Sequence, residues 1–204
     1  MNLQLFAAFM AITLILVVTP GPIVTLVIAT GATRGVRPAL ATVAGTTLGN
    51  ALLLTAIALG LAWVLANALI LFEVMRWAGA AYLIYLGVQA WRGASKPAAV
   101  SPVADHVHFA RGLAVALTNP KTIVFFTAFL PQFVDPSLPA GRQLAAKCAA
   151  STLMAATTDS IWGVAAGLGR AWFMRPSRAK LLARLSGSVL IGGGLWLSLA
   201  RRPT

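Results

Sequence analysis

Acidic residues are scarce in this chain: 4 Asp and Glu among 204 residues, with charged residues of both signs at 10%. A soluble domain carries about 25% charged residues, so the composition argues against a water-soluble globule. Cysteine occurs once, at Cys148, which excludes an intramolecular disulfide and any dithiol redox pair. The 2 histidines are His106 and His108. They form a His-x-His in a polar connection, and without further ligands this reads as solvated linker rather than as a metal site. Aromatic residues are 8%, and short alternating segments bounded by turns are missing, so a transmembrane β-barrel is not expected. Basic residues are missing from Met1-Asn2-Leu3-Gln4. A secretory leader has a basic start and a shorter apolar run, so the first run is expected to be a retained span.

What is abundant is apolar surface. Hydrophobic residues make up 59% and the mean hydropathy is +0.85, more than one soluble core of this size could bury. Six apolar runs lie at about residues 5–29, 39–65, 69–91, 112–133, 144–169 and 181–200. Each is close to or above the roughly 20 residues that cross a bilayer as a helix. The net charge of +12 would suggest nucleic acid in a soluble protein. Here the basic residues gather in the connections between runs, which positive-inside anchoring explains, and no nucleic-acid partner is expected. With the N-terminus outside, Arg34, Arg37, Arg92, Lys96, Arg111, Arg170, Arg175, Arg178, Lys180 and Arg184 fall on the cytoplasmic side. Arg76, Arg142, Lys147, Arg201 and Arg202 fall on the other. That excess predicts both termini outside.

Two of the runs are interrupted. Pro20, Gly21 and Pro22 follow Thr19 near the middle of the first, and Asn119, Pro120 and Lys121 follow Thr118 in the fourth. A proline lacks an N–H and clashes with the carbonyl one turn back. Backbone groups freed in this way cannot face lipid, where each costs several kcal/mol. The breaks are therefore expected to face protein, water or a ligand, and paired breaks of this kind point to a transport site.

The two halves also align. The two breaks coincide, Asn50 with Gly60 falls on Asp159 with Gly169, and Arg76 with Gly79 falls on Arg184 with Gly187. Shared order makes these weak matches a repeat. Three spans per half is odd, so the halves insert in opposite senses. The expected architecture is an all-α integral membrane protein. Its six transmembrane helices form two inverted three-helix repeats, with broken first and fourth helices. It is a single domain over 1–204, with repeat 1 at about 1–92, a connection at 93–111 and repeat 2 at about 112–204. Gly45 and Gly49, and Gly163 with Gly167, are four apart and suit close helix packing. Glu73 and Arg76 are three apart and positioned to pair. Trp77, Tyr82, Tyr85 and Trp91 read as interface anchors or core aromatics.

Proline suits the first turn of a helix, so Pro22 and Pro120 are expected to restart their helices, with Asn119 as an N-cap. A restarted half-helix presents free N–H groups and a positive dipole end, which suits a carboxylate. Lys121 adds a formal charge at membrane depth, and Asp159 is the carboxylate well inside a span. Each costs at least about 2.5–3.5 kcal/mol to insert at the bilayer centre. They are expected to neutralise one another, with Asn50 nearby. The rival reading is an ion pair that only locks the fold.

Pro20, Gly21 and Pro22 in the first span, Gly49 and Asn50 in the second, Asn119, Pro120 and Lys121 in the fourth and Asp159 in the fifth resemble the LysE/RhtB family of amino-acid exporters. The six-span plan and the polar connection after the third span are similar too. Asn50 stands where relatives often carry an acidic residue. The resemblance implies a transporter of the bacterial inner membrane, not an enzyme. It implies export of amino acids or close derivatives, a proton as coupling ion, and a homodimer, with no cofactor or metal. The charge balance of the site points to small neutral substrates. Other classes are less well served. A thiol-redox carrier needs two membrane cysteines, and a metal exporter needs segments rich in histidine or acid. A channel is the mechanistic rival, and a membrane-embedded enzyme would need a nucleophile–base pair that the spans do not hold.

Overall fold

The computed structural model describes residues 2–67, 69–92 and 105–199. All regular structure among them is helical: α1 (Leu3–Val18), α2 (Pro22–Arg34), α3 (Val36–Asn67), α4 (Leu69–Arg92), α5 (Asp105–Leu117), α6 (Pro120–Phe129), α7 (Ala140–Leu168), α8 (Arg170–Phe173) and α9 (Pro176–Leu199), with a 3₁₀ turn at Leu130–Phe133. Helix formation follows from the composition. In an apolar medium a backbone must satisfy its own polar groups.

The breaks fall where proline and glycine place them. α1 and α2 meet at 45° across Thr19–Gly21. The second break separates α5 from α6 yet leaves Val107–Phe133 one apolar run of 27 residues. Among the described residues, three helices are long and apolar enough to cross a bilayer, and four if the bent pair counts as one span. α4 and α7, at 24 and 29 residues, are long enough at 1.5 Å per residue. Their apolar character is diluted, by Glu73, Arg76 and Arg92 in one and by a run of Ser, Thr and Asp in the other.

The helices are held together by glycine seams. A Cβ on Gly45 would strike the carbonyl oxygen of Phe109, and one on Gly49 would come within 2.6 Å of the Ala116 methyl, so α3 and α5 run in backbone contact. Gly31 meets the carbonyl of Gly163, and Gly167 meets Val36, joining α7 to α2 and the start of α3. On the other side Gly87 faces the carbonyl of Gly187, Gly194 faces that of Ala80, and Gly79 faces Ala128. These tie α4 to α9 and α6. Close approach lets dispersion and backbone contacts do what the hydrophobic effect cannot do in lipid. Trp77, Tyr85 and Trp91 are exposed on α4, as interface anchors are. Arg76 reaches Glu73 at 2.8 Å.

Two expectations about connections are corrected. The first apolar run, at about residues 5–29, implies a connection from about residue 30. Helix α2 instead continues to Arg34, with Thr30 buried and its hydroxyl donating to the Leu26 carbonyl. The turn is made at Gly35, whose φ of 99° disfavours a side chain. The connection at 93–111 was expected to be solvated throughout. Residues 93–104 lie outside the described residues, but α5 starts at Asp105 and His108 is buried on it. Packing against Gly45 and Gly49 draws the helix past the end of its apolar run, and His108 goes with it.

The ends are marked by contacts. Asn2 donates to the Asp135 carboxylate at 3.1 Å, and Gln143 bonds both the N–H and the carbonyl of Asp135. The start of α1, the turn after α6 and the start of α7 thus share one end. Gly35 lies against Arg170 at the other.

Gly45 and Gly60 stand on the same helix in opposite circumstances, since a Cβ on Gly60 meets nothing within 4 Å. Gly60→Ala is expected to be neutral or stabilising by up to ~1 kcal/mol. Gly45→Ala should destabilise by roughly 1–3 kcal/mol through overpacking. Thermal unfolding of both variants in detergent reads the difference, and equal shifts would refute the seam.

Candidate functional site

The first break leaves the end of α1 with carbonyls that no helical N–H can reach. Thr19 meets part of that need: its N–H and its hydroxyl both donate to the Ile15 carbonyl. The remainder is met from the other half of the chain. Lys121 Nζ donates to the Leu16 carbonyl at 2.7 Å and to the Thr19 carbonyl at 2.6 Å. A cation at a helix C-terminus is also where the dipole favours one. The lysine stem reaches this position because residue 21 is glycine, where a Cβ would sit 2.9 Å from Lys121 Cδ.

Both helices that restart after the breaks begin at proline, as expected from the sequence. α2 begins at Pro22 with Gly21 as its cap. α6 begins at Pro120, and Asn119 caps it: its side-chain oxygen accepts from the Lys121 N–H at 3.1 Å while its Nδ2 donates to Thr122 at 2.9 Å. Gly21, Ile23 and Val24 from the first turn of α2, and Asn119, Lys121 and Thr122 from that of α6, line one cavity. Two helix N-termini therefore open onto the same space.

The far wall of that cavity comes from α3 and α7. Asn50, Leu54, Ser151, Thr152, Ala155 and Asp159 line it. Asp159 is 3% and Asn50 5% exposed. The Thr46 hydroxyl, which donates to the Val43 carbonyl at 3.0 Å, lies beside the Asp159 carboxylate, and Asp159 lies in the field of Lys121. The Asn50 side-chain oxygen has no partner among the described residues. Gly21, Asn50, Asn119, Lys121 and Asp159 are thus brought together. Pro20, Pro22 and Pro120 shape the breaks and do not line the cavity.

One expectation is modified. Lys121 and Asp159 face a common cavity, but among the described residues the ion pair in direct contact is Glu73–Arg76. Lys121 is instead held by the end of α1, whose carbonyls are nearer and otherwise unpaired. Thr46, Leu16 and Ser151 belong to the site and were not singled out from sequence. A threonine, a leucine carbonyl and a serine on apolar helices carry no signal until the helices are packed.

The cavity measures about 40 Å³, room for about one water. It joins a cluster of hydrogen-bond donors on one wall to a carboxylate and an amide oxygen on the other. Such a site can hold a small molecule bearing opposite charges at its two ends, once it widens. The single cysteine is buried outside it, and no nucleophile–base pair is assembled among its lining residues.

Comparison with known proteins accords with this arrangement. Over 204 aligned residues, 98% of this chain and 99% of the other, the chain is 31% identical to the homoserine/homoserine lactone efflux protein of Salmonella typhimurium. It is 28% identical over 98% of its length to an uncharacterized membrane protein of Vibrio cholerae that is covered completely. A leucine efflux protein of Klebsiella pneumoniae is 33% identical over 59% of this chain and 58% of its own. No solved structure matches. The chain is a multi-pass bacterial membrane protein and a transporter rather than an enzyme. Residues 14–201 match the LysE type translocator family, and the chain belongs to it.

Proposed function

We propose that this protein is a secondary transporter of the bacterial inner membrane that exports small neutral amino acids, or close derivatives, using the proton gradient. The observation that carries the reading is the convergence of two half-helix N-termini, Lys121, Asp159 and Asn50 on one buried cavity. The donors take the substrate carboxylate. Asp159 and the unpartnered oxygen of Asn50 take its ammonium group. The relatives named for homoserine and leucine efflux support an amino-acid cargo.

The same proposal includes six spans in two inverted halves with both termini outside, and a homodimer as the assembly. Helix packing lends the pairing of the two halves some support, and their odd span number supplies the inversion. Exchange of the two halves would turn the α3–α5 contact into the α7–α1 contact and map α4–α9 onto itself, and all three pairs are in contact. Asn2 and Asp135 at one end, with Gly35 and Arg170 at the other, agree with the grouping of basic residues used to orient the chain.

Charge decides the substrate class. Lys121 and Asp159 sum to zero formal charge, so a zwitterion enters without leaving an unpaired charge in low dielectric. A cationic amino acid would need one more carboxylate, and Glu73 is held by Arg76 on α4, away from the cavity. In liposomes loaded with labelled leucine or threonine, excess unlabelled threonine or leucine should compete well and excess lysine poorly. Stronger competition by lysine would overturn the charge argument while leaving the exporter assignment intact.

Lys121 and Asp159 are expected to fail differently. Lys121→Ala removes the cap on α1 and a donor for the substrate. Export should fall by about two orders of magnitude, the worth of one or two charge-assisted hydrogen bonds, with the protein still inserted. Wild-type export by this variant would remove Lys121 from the mechanism. Asp159→Asn keeps the shape and removes the proton carrier. Substrate exchange should survive at lower affinity, since the amide oxygen still accepts from the ammonium, while net export stops; equal loss of both would show that Asp159 holds cargo without carrying the proton.

A further inference from the structure

Three segments lead from the cavity to the end of the molecule where Asn2 meets Asp135. They are α1, α6 with its 3₁₀ turn, and α7. Each carries a buried polar side chain just beyond its outermost cavity-lining residue. On α1 the lining residues are Leu16 and Val17, and Thr13 follows one turn out. On α6 the outermost lining residue is Phe126, and Gln132 lies beyond it in the 3₁₀ turn. On α7 it is Ser151, and Lys147 follows one turn out. Thr13 and Lys147 are 0% exposed and Gln132 is 7%.

These three share a second property. Thr13 Oγ1, Gln132 Nε2 and Lys147 Nζ have no hydrogen-bond partner among the described residues. Buried polar atoms are almost always paired, and each exception calls for a cause. Their surroundings bracket one region. The Phe9 ring, one turn from Thr13, packs 5.6 Å from that of Phe133, the neighbour of Gln132. Leu144 and Cys148, flanking Lys147, belong to the same packed cluster. The carboxylate whose field reaches Lys147 is Asp135. It accepts from Asn2 at 3.1 Å and from Ser137 at 2.9 and 2.6 Å, and it makes no ion-pair contact with the lysine. A lysine serving only the fold would be expected to close on that carboxylate.

An ammonium, a carboxamide NH₂ and a hydroxyl, all unpaired, make a set of donors that suits an anion. Lys147, Ser151, Ala155 and Asp159 also succeed one another at intervals of four along one buried face of α7. That face leads from the cavity to Lys147, about 18 Å along the helix from Asp159.

We propose that Lys147, Gln132 and Thr13 form a second carboxylate station on the translocation path, between the central cavity and the Asn2–Asp135 end. The identity of its cargo rests on the exporter reading: the carboxylate leaving the α2 and α6 N-termini is received by Lys147 before release. The Phe9, Phe126 and Phe133 rings, packed together at 5.6 to 6.0 Å, stand between α1 and the end of α6 and close this route in the present conformation. Two carboxylate positions in series let the charged end of the substrate pass a low-dielectric stretch without being unpaired, which a single site at the cavity does not provide.

The test uses the full-length protein in liposomes and has a readout apart from transport. Reductive methylation followed by mass spectrometry reports the reactivity of Lys147 directly. Excess acetate, a bare carboxylate, should slow methylation of Lys147 several-fold in the wild type and much less in Gln132→Leu or Thr13→Val. Leucine should protect as acetate does, and leucinamide, which lacks the carboxylate, should not. In parallel, Lys147→Met should lower leucine or homoserine efflux about tenfold, the worth of one charge-assisted hydrogen bond. Lys147→Arg should restore most of it, and thermal stabilisation by leucine at the central cavity should remain. If Lys147 is never methylated, or neither acetate nor leucine protects it, the station is overturned. Wild-type efflux by Lys147→Met overturns it as well. Where Lys147→Met fails to insert, Gln132→Leu decides, because unaltered efflux and unaltered acetate protection in that variant count against the station. Acetate protection in a protein that moves none of the amino acids would leave the station standing and bring down the exporter reading instead.

Discussion

The end of α1 lies in the interior with carbonyls pointing at nothing of its own, and Lys121 answers them from more than a hundred residues away. Each group alone is costly. A lysine at this depth without acceptors costs several kcal/mol, and so does each carbonyl left unpaired out of contact with water. Together they allow the first span to be broken at all. The break in turn provides the α2 N-terminus, and Pro120 with Asn119 places Lys121 one residue into α6, where its stem can cross over Gly21. The cavity is the space left where these terminations meet α3 and α7.

Much of this was legible in the sequence because proline and glycine act locally. Proline lacks an N–H wherever it sits, so the restarts at Pro22 and Pro120 and the cap at Asn119 followed from the residues themselves. The order of the helices followed from apolar runs of bilayer length. What could not be read was set by contacts between distant segments. Nothing local marks the Leu16 carbonyl as the partner of Lys121, so the expected pairing with Asp159 was the simplest charge balance available. His108 looked like part of a solvated linker because Phe109 and Gly112 do not announce a fit against Gly45 and Thr42. Lys147 was counted among charges near span ends, and its burial appears only when α1 and the 3₁₀ turn are packed against α7.

The glycine seams divide the molecule along a line that crosses both breaks. α2, α3, α5 and α7 are joined in backbone contact through Gly31, Gly45, Gly49, Gly112, Gly163 and Gly167. α4, α6 and α9 are joined through Gly79, Gly87, Gly187 and Gly194. α1 is bound to α6 by Lys121 and by the ring of Phe9 against Phe125 and Phe126. The chain crosses between the groups in the connections and, inside apolar runs, at the two interruptions, between α1 and α2 and between α5 and α6. Close-packed seams resist deformation, so any rearrangement concentrates where the helices are already discontinuous.

The cavity lies on that line, with Leu16, Lys121 and Phe126 on one side and Asn50, Ser151 and Asp159 on the other. It holds about one water at about 40 Å³, and an amino acid has several times as many heavy atoms. Cargo of that size would require the two groups to part, and what spans them there is the packing of α1 on α7 and of α3 on α6. On the proposed exporter reading, a substrate carboxylate arriving at the α6 N-terminus would compete with the α1 carbonyls for the same ammonium. Binding would then be coupled to loosening of the first break through one side chain, since Lys121 has one uncommitted N–H and any further contact with cargo costs a contact with α1. A passive pore would have no use for that exchange; a carrier that must close behind its substrate would depend on it.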